Sequence, residues 1–297
     1  MTSSQIVVGY DGSESSRVAL TWAMGAGKSR GLSVLVLYAL PSVTETLVGI
    51  GGYLRPPDQG ERDAAERMLL EAAHVSRLEV PGVEVETRVV EGAIVPVLLG
   101  ELEGAEMAVV GSRGLGTFTQ LLLGGTALQL VTHAPCPVVV IRSREYSAPG
   151  PEAGRVVVGV DGSTQSGEAL GFAFEEAAAR GAGLTAVHAW QAPFIEVPVK
   201  GPAGDPSVVS EIQRTEARLL SEALAGWREK YPQVDVRQNL VHGDAAQALV
   251  DASPGADLVV VGSRGSGGFR ALALGSVCHT VLHHARSAVA VVHPVRA

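Results

Sequence analysis

The chain repeats itself over a long distance. Residues 108–116 read AVVGSRGLG and residues 259–267 read VVVGSRGSG, and a shift of 150 positions aligns GYDGS at 9–13 with GVDGS at 159–163. Solenoid repeats have periods of about 20–50 residues, so this much longer period indicates duplicated domains.

Within each half, short apolar strands alternate with helical stretches. The first half has predicted strands QIVVGY, SVLVLYA, VEVETRVV, MAVVG and PVVVIR, and predicted helices over 13–30, 58–79, 94–103 and 124–134. The second half repeats this order, with strands near 155–160, 184–190, 234–241, 258–262 and 288–292. This alternation predicts an α/β fold of two tandem doubly wound domains, each a five-stranded parallel sheet of order 3-2-1-4-5 flanked by helices. We place the domains at 1–146 and 154–297, with a Pro/Gly/Ala-rich linker near 143–154.

Composition and charge exclude several classes of partner. The net charge of −8 argues against a sequence-independent nucleic-acid binder and offers no basic patch to an anionic membrane. The N-terminus lacks the pattern of a secretory signal, and no apolar run reaches the ~18 residues of a membrane span. Cys136 and Cys278 lie far apart, which disfavours a disulfide framework. We therefore expect a cytoplasmic protein.

Each half has a glycine-rich turn after its fourth strand and another glycine where the next helix begins. These are Gly111, Gly114 and Gly124 in the first half, and Gly262, Gly265 and Gly275 in the second. Such a turn beside a helix N-terminus presents backbone N–H groups to phosphate. In the order 3-2-1-4-5, the ends of strands 1 and 4 share a crevice, where open α/β sheets bind ligands. We therefore predict a nucleotide site in each half.

Individual polar residues add to this prediction. Ser276 supplies a hydroxyl at the helix start, and Asp11 and Asp161 follow the first strand of each half. Either aspartate is suited to bind a ribose hydroxyl or an Mg²⁺ ion carried by the nucleotide. The alternative is that D-G-S only forms a turn and caps a helix. We predict no metal site made by the protein alone.

These residues resemble the universal stress protein family in its tandem, ATP-binding form. The nucleotide-binding members have the motif G-x2-G-x9-G followed by Ser or Thr. The second half fits it completely, ending in Gly275-Ser276-Val277, whereas the first half ends in Gly124-Gly125-Thr126. The hydroxyl position of the first motif is thus a glycine, with a threonine one place later.

The resemblance also implies the rest of the pocket. It places adenine and ribose contacts at the end of strand 1, at a strand 2 position and at the residue before the motif. The corresponding residues are Gly9, Asp11, Ala39 and Val110 in the first half, and Gly159, Asp161, Ala189 and Val261 in the second. It further implies ATP or another adenine nucleotide as ligand, little or no turnover, and a homodimer.

We therefore predict a stress-response regulator that acts through nucleotide-dependent conformation, read by protein partners, and is not an enzyme. The sequence has no G-x4-G-K-[ST] and no G-x-S-x-G motif, and Asp11 and Asp161 are the motifs' only candidates for a general base. Two alternatives stay open: a slow ATP-hydrolysing or nucleotide-transferring enzyme, and a scaffold that binds no nucleotide.

Overall fold

The computed structural model describes residues 5–41, 58–114, 123–142, 152–191, 206–265 and 274–294. The chain divides into two compact units. The first comprises Met1–Tyr146 together with Ser287–Ala297, and the second comprises Ser147–Arg286.

The first unit is built on a parallel sheet flanked by helices. Its elements are β1 (Gln5–Gly9), α1 (Glu14–Arg30), β2 (Ser33–Leu40), α2 (Gln59–Glu79), β3 (Val85–Glu91), α3 (Ile94–Glu101), β4 (Met107–Gly111), α4 (Gly125–His133) and β5 (Val138–Ile141). The five strands lie in the order β3-β2-β1-β4-β5 and are parallel throughout. Strands such as MAVVG are continuously apolar because helices cover both faces of the sheet. The predicted α/β fold and strand order are confirmed in this unit.

The second unit repeats this plan as far as its fourth strand. Its elements are β6 (Arg155–Gly159), α5 (Thr164–Arg180), β7 (Gly183–Trp190), α6 (Pro206–Lys230), β8 (Val236–His242), α7 (Ala245–Ala252), β9 (Leu258–Gly262) and α8 (Ser276–His284). Its parallel strands have the order β8-β7-β6-β9. None of the helices in the described ranges is long and apolar enough to cross a membrane.

The last strand, β10 (Val289–Val292), pairs within the first unit. It lies antiparallel to β5, with Val289 opposite Val140 and Val291 opposite Val138. Both strands are wholly buried. An apolar edge strand left unpaired promotes aggregation, and this pairing covers the outer edge of β5.

Local sequence explains where the first helix of each unit begins. Ser13 and Ser163 are the N-caps of α1 and α5, and each side chain accepts from the N–H three residues later. Such a cap satisfies one of the N–H groups that a helix start leaves unpaired. The D-G-S turns are therefore held rigidly between the sheet and the helix.

A buried arginine anchors the start of β6 in the second unit. The Arg155 guanidinium donates to Thr185 Oγ1 at 2.9 Å, to the Leu184 carbonyl at 2.6 Å and to Asp235 Oδ2 at 2.6 Å. Arg155 also lowers the pKa of the Asp235 carboxyl through this hydrogen bond and its charge. The first unit has Gln5 at the matching position, so only the second unit depends on such an anchor.

We expect Arg155→Leu to lower the free energy of unfolding by about 2 kcal/mol, because buried acceptors lose charged donors. Asp235 is 70% exposed, so its ion pair adds little to this loss. Because the folded-state pKa of Asp235 is depressed, its small contribution to the free energy of unfolding is present at neutral pH and is lost as the pH falls through that pKa. Urea unfolding at neutral and acidic pH measures both effects, with Gln5→Leu as the matched control. Equal free energies of unfolding for the two variants would contradict the role of Arg155 as the anchor of β6.

Candidate functional site

The two predicted motifs of the first unit meet at the carboxyl edge of its sheet. Gly9 at the end of β1 lies opposite Val110 at the end of β4. Beyond these ends, a methyl group on Gly114 would lie 2.7 Å from Asp11 Oδ2. The other oxygen, Oδ1, accepts from the Ser13 N–H at 3.0 Å. The D-G-S and G-S-R-G turns are therefore in direct contact, as the strand order predicted.

The second unit has the same arrangement. A methyl group on Gly265 would lie 2.6 Å from Asp161 Oδ2. Asp161 Oδ1 accepts from the Ser163 N–H at 3.0 Å and from the Ser163 hydroxyl at 2.6 Å. In both units glycine is needed because the carboxylate lies directly against the backbone of the turn.

A second glycine in each turn packs against the first helix of the unit. In the first unit, a methyl group on Gly111 would lie 2.8 Å from the Ser15 carbonyl carbon, and the Ser15 hydroxyl donates to the Arg113 carbonyl. In the second unit, a methyl group on Gly262 would lie 2.9 Å from the Arg264 carbonyl oxygen of the turn and 3.4 Å from Cβ of Gln165 on α5. Sequence reasoning missed Ser15 and Gln165, whose only signal was their place two residues after the D-G-S turn.

The turns are also tied to the starts of α4 and α8. The Gly124 N–H donates to the Ser112 carbonyl at 2.7 Å, and the Gly275 N–H donates to the Ser263 carbonyl at 2.9 Å. Gly124 and Gly275 are the N-caps, and glycine has no side chain to accept from the first N–H groups of the helix. These N–H groups and the positive end of the helix dipole are therefore suited to bind an anion.

The two helix starts differ at their first residue. α8 begins with Ser276, whose side chain is exposed, followed by Val277. α4 begins with Gly125, followed by Thr126, and a Cβ on Gly125 would meet no atom within 4 Å. The first unit therefore has space for the missing hydroxyl but lacks the group.

The remaining predicted pocket residues lie at the same sheet edges. Val110 and Val261 are buried, so a ligand at these positions would contact their backbone. Ala39 and Ala189 are half-buried and are the penultimate residues of β2 and β7. The structure thus places every predicted residue near a strand end or helix start, including Gly159 at the end of β6.

Positive charge collects at this edge of the first unit. Arg113 lies in the glycine-rich turn, and Arg142 follows β5. Burial and the nearby Arg113 guanidinium lower the pKa of the Arg142 guanidinium. Two neighbouring guanidinium groups attract an anionic ligand.

The described residues offer little support for a metal centre made by the protein. They contain no group of three or more His, Cys, Asp or Glu side chains arranged to hold an ion. Asp11 and Asp161 give one carboxylate per site, which fits an Mg²⁺ ion ligated mainly by phosphates and water. Burial raises the pKa of Cys278 to about 12 and that of Cys136 to about 11, so both remain thiols.

Comparison with known proteins agrees with this architecture. The model of the universal stress protein family matches residues 3–142 and again residues 152–293. A universal stress protein of Mycobacterium bovis is 38% identical over 290 residues, covering 96% of each chain. Another, from Mycolicibacterium smegmatis, is 33% identical over 292 residues and covers 97% of each chain.

The fold has a counterpart among solved structures. The crystal structure of a universal stress protein from Archaeoglobus fulgidus matches with a TM-score of 0.65 at 22% identity, covering 97% of this chain and 96% of that chain. The family match extends over both halves, and the relatives match at nearly full length. The chain therefore belongs to the universal stress protein family and carries two of its domains in tandem.

Proposed function

We propose that the protein binds adenine nucleotides, ATP foremost, and acts as a regulator through the conformation of its nucleotide-bound state. The observation that carries the proposal is the contact of Asp161 with Gly265, beside a helix that starts at Gly275 and Ser276. This arrangement combines a carboxylate for a ribose with N–H groups and a hydroxyl for phosphates.

The second site is the tighter one in this proposal. Ser276 gives it a hydroxyl where the first site has Gly125. A hydrogen bond to a charged group contributes about 1.5–3 kcal/mol. Arg113 has its counterpart in Arg264, and Arg142 lies near Arg113 in the first unit, so we expect the first site to be weaker rather than lost.

The side chains at the sites favour regulation over turnover in this proposal. The candidates for a general base are Asp11 and Asp161, and each already accepts a hydrogen bond from a serine N–H of its own turn. Each carboxylate is therefore held by its own turn, which favours a role in binding. Sustained ADP formation by the pure protein that is lost in Asp161→Ala would replace this proposal with an enzymatic one.

We expect Gly265→Ala to weaken ATP binding at the second site at least tenfold, because the new methyl displaces the Asp161 carboxylate. Isothermal titration calorimetry measures the affinity, and Gly226→Ala on α6 is the matched control, since its methyl meets no atom within 4 Å. An unchanged affinity in the Gly265 variant would disprove the role of this turn.

We expect Gly125→Ser to strengthen ATP binding at the first site by about tenfold, because it restores the hydroxyl in an open position. Gly125→Ala separates the effect of the hydroxyl from that of a stiffer helix start. The reciprocal Ser276→Ala should weaken the second site by a similar factor. If the serine and alanine variants at position 125 bind alike, the hydroxyl does not set the difference between the sites.

A further inference from the structure

A buried histidine lies directly behind the site of the second unit. His188 is on β7 and is 5% exposed. Its Nδ1 lies 2.6 Å from the Val160 carbonyl oxygen, and its Nε2 lies 2.7 Å from Glu216 Oε2 on α6. Both ring nitrogens therefore face oxygen atoms, one from the sheet and one from a helix.

The chemistry of these two partners determines which ring nitrogen carries a hydrogen. A carbonyl oxygen only accepts, so Nδ1 carries a hydrogen and donates it to Val160. The contact between Nε2 and the Glu216 carboxyl needs one shared proton, whichever atom carries it. Glu216 thereby holds the imidazole in the orientation in which Nδ1 reaches Val160.

The acceptor of this hydrogen bond is next to the site. The Val160 N–H donates to the Val187 carbonyl at 2.9 Å, and its carbonyl accepts from His188. The peptide group that joins Val160 to Asp161 is therefore held by β7, and Asp161 lies against Gly265. Two hydrogen bonds therefore connect Glu216 through His188 to the peptide group next to the Asp161 side chain.

The first unit lacks this histidine–glutamate pair. β2 and β7 correspond at an offset of 150 residues, so Tyr38 takes the place of His188. α2 and α6 correspond at an offset of 151, so the buried Ala65 takes the place of Glu216. The alignment of the two helices is supported by Leu69 and Leu220, which correspond and are both buried. The pair is therefore particular to the second unit and not a requirement of the fold.

We propose that His188 is a positioning residue for the nucleotide site of the second unit, and that Glu216 on α6 fixes the orientation of the His188 ring. This rests on the proposed function, since the group that is positioned is the Asp161 carboxylate at that site. It assigns a role in binding to two side chains outside the glycine motif and connects the site to a helix.

His188→Phe and His188→Asn form the test pair in the full-length protein. Phenylalanine keeps a ring but donates nothing, whereas the asparagine amide places an N–H close to where Nδ1 lies. We expect phenylalanine to weaken ATP binding at the second site by about 3- to 10-fold, as for the loss of one hydrogen bond, and asparagine to stay within about twofold of wild type. Calorimetric binding at the first site is the internal control for folding.

A second pair probes the helix side. Glu216→Leu removes the partner of Nε2, and Glu216→Gln restores one through its amide. We expect the leucine variant to weaken the second site and the glutamine variant to restore it. In wild-type protein, proton–nitrogen NMR correlation of the histidine rings should show Nδ1 of His188 protonated.

The outcomes separate the two proposals. Wild-type protein that binds no nucleotide overturns the proposed function, and this inference with it. Wild-type protein that binds ATP while His188→Phe and Glu216→Leu bind it equally well overturns the positioning role alone. Equal weakening by phenylalanine and asparagine, with a lower thermal midpoint for both, shows only packing and also overturns it.

Discussion

Parallel pairing of the first and fourth strands of each unit is the constraint on which the site depends. It sets Gly9 opposite Val110 in the first unit and brings two turns together from residues about a hundred positions apart in sequence. Each turn alone is common in α/β proteins, but the pairing places a carboxylate against a glycine backbone. The helix that follows then presents uncapped N–H groups to the same edge.

Much of this could be predicted from the sequence because its signals are local. Continuous apolar runs such as MAVVG indicate buried strands, and the spacing of glycines marks the turn and the helix start. The contacts that sequence reasoning missed join residues distant in the chain and leave no periodic pattern. Arg155 reaches Asp235 across 80 positions, and His188 reaches Glu216 across 28. Such pairs depend on which helix lies over which strand, which composition does not reveal.

The two units share a backbone plan but have diverged in the side chains that serve the site. The second has Ser276 at the start of α8 and the buried His188, whereas the first has Gly125 at the start of α4 and places Arg142 near Arg113. The pairing of β5 with β10 occupies the outer edge of β5 within the chain.

The central claim is that the protein carries an adenine nucleotide, held most tightly by the second unit. Its most direct test is to denature freshly purified full-length protein and identify the released small molecules by mass spectrometry, alongside equilibrium dialysis against labelled ATP. The account predicts an adenine nucleotide in the released fraction and saturable ATP binding that Gly265→Ala weakens. Release of no nucleotide, together with no ATP binding in dialysis, would contradict it.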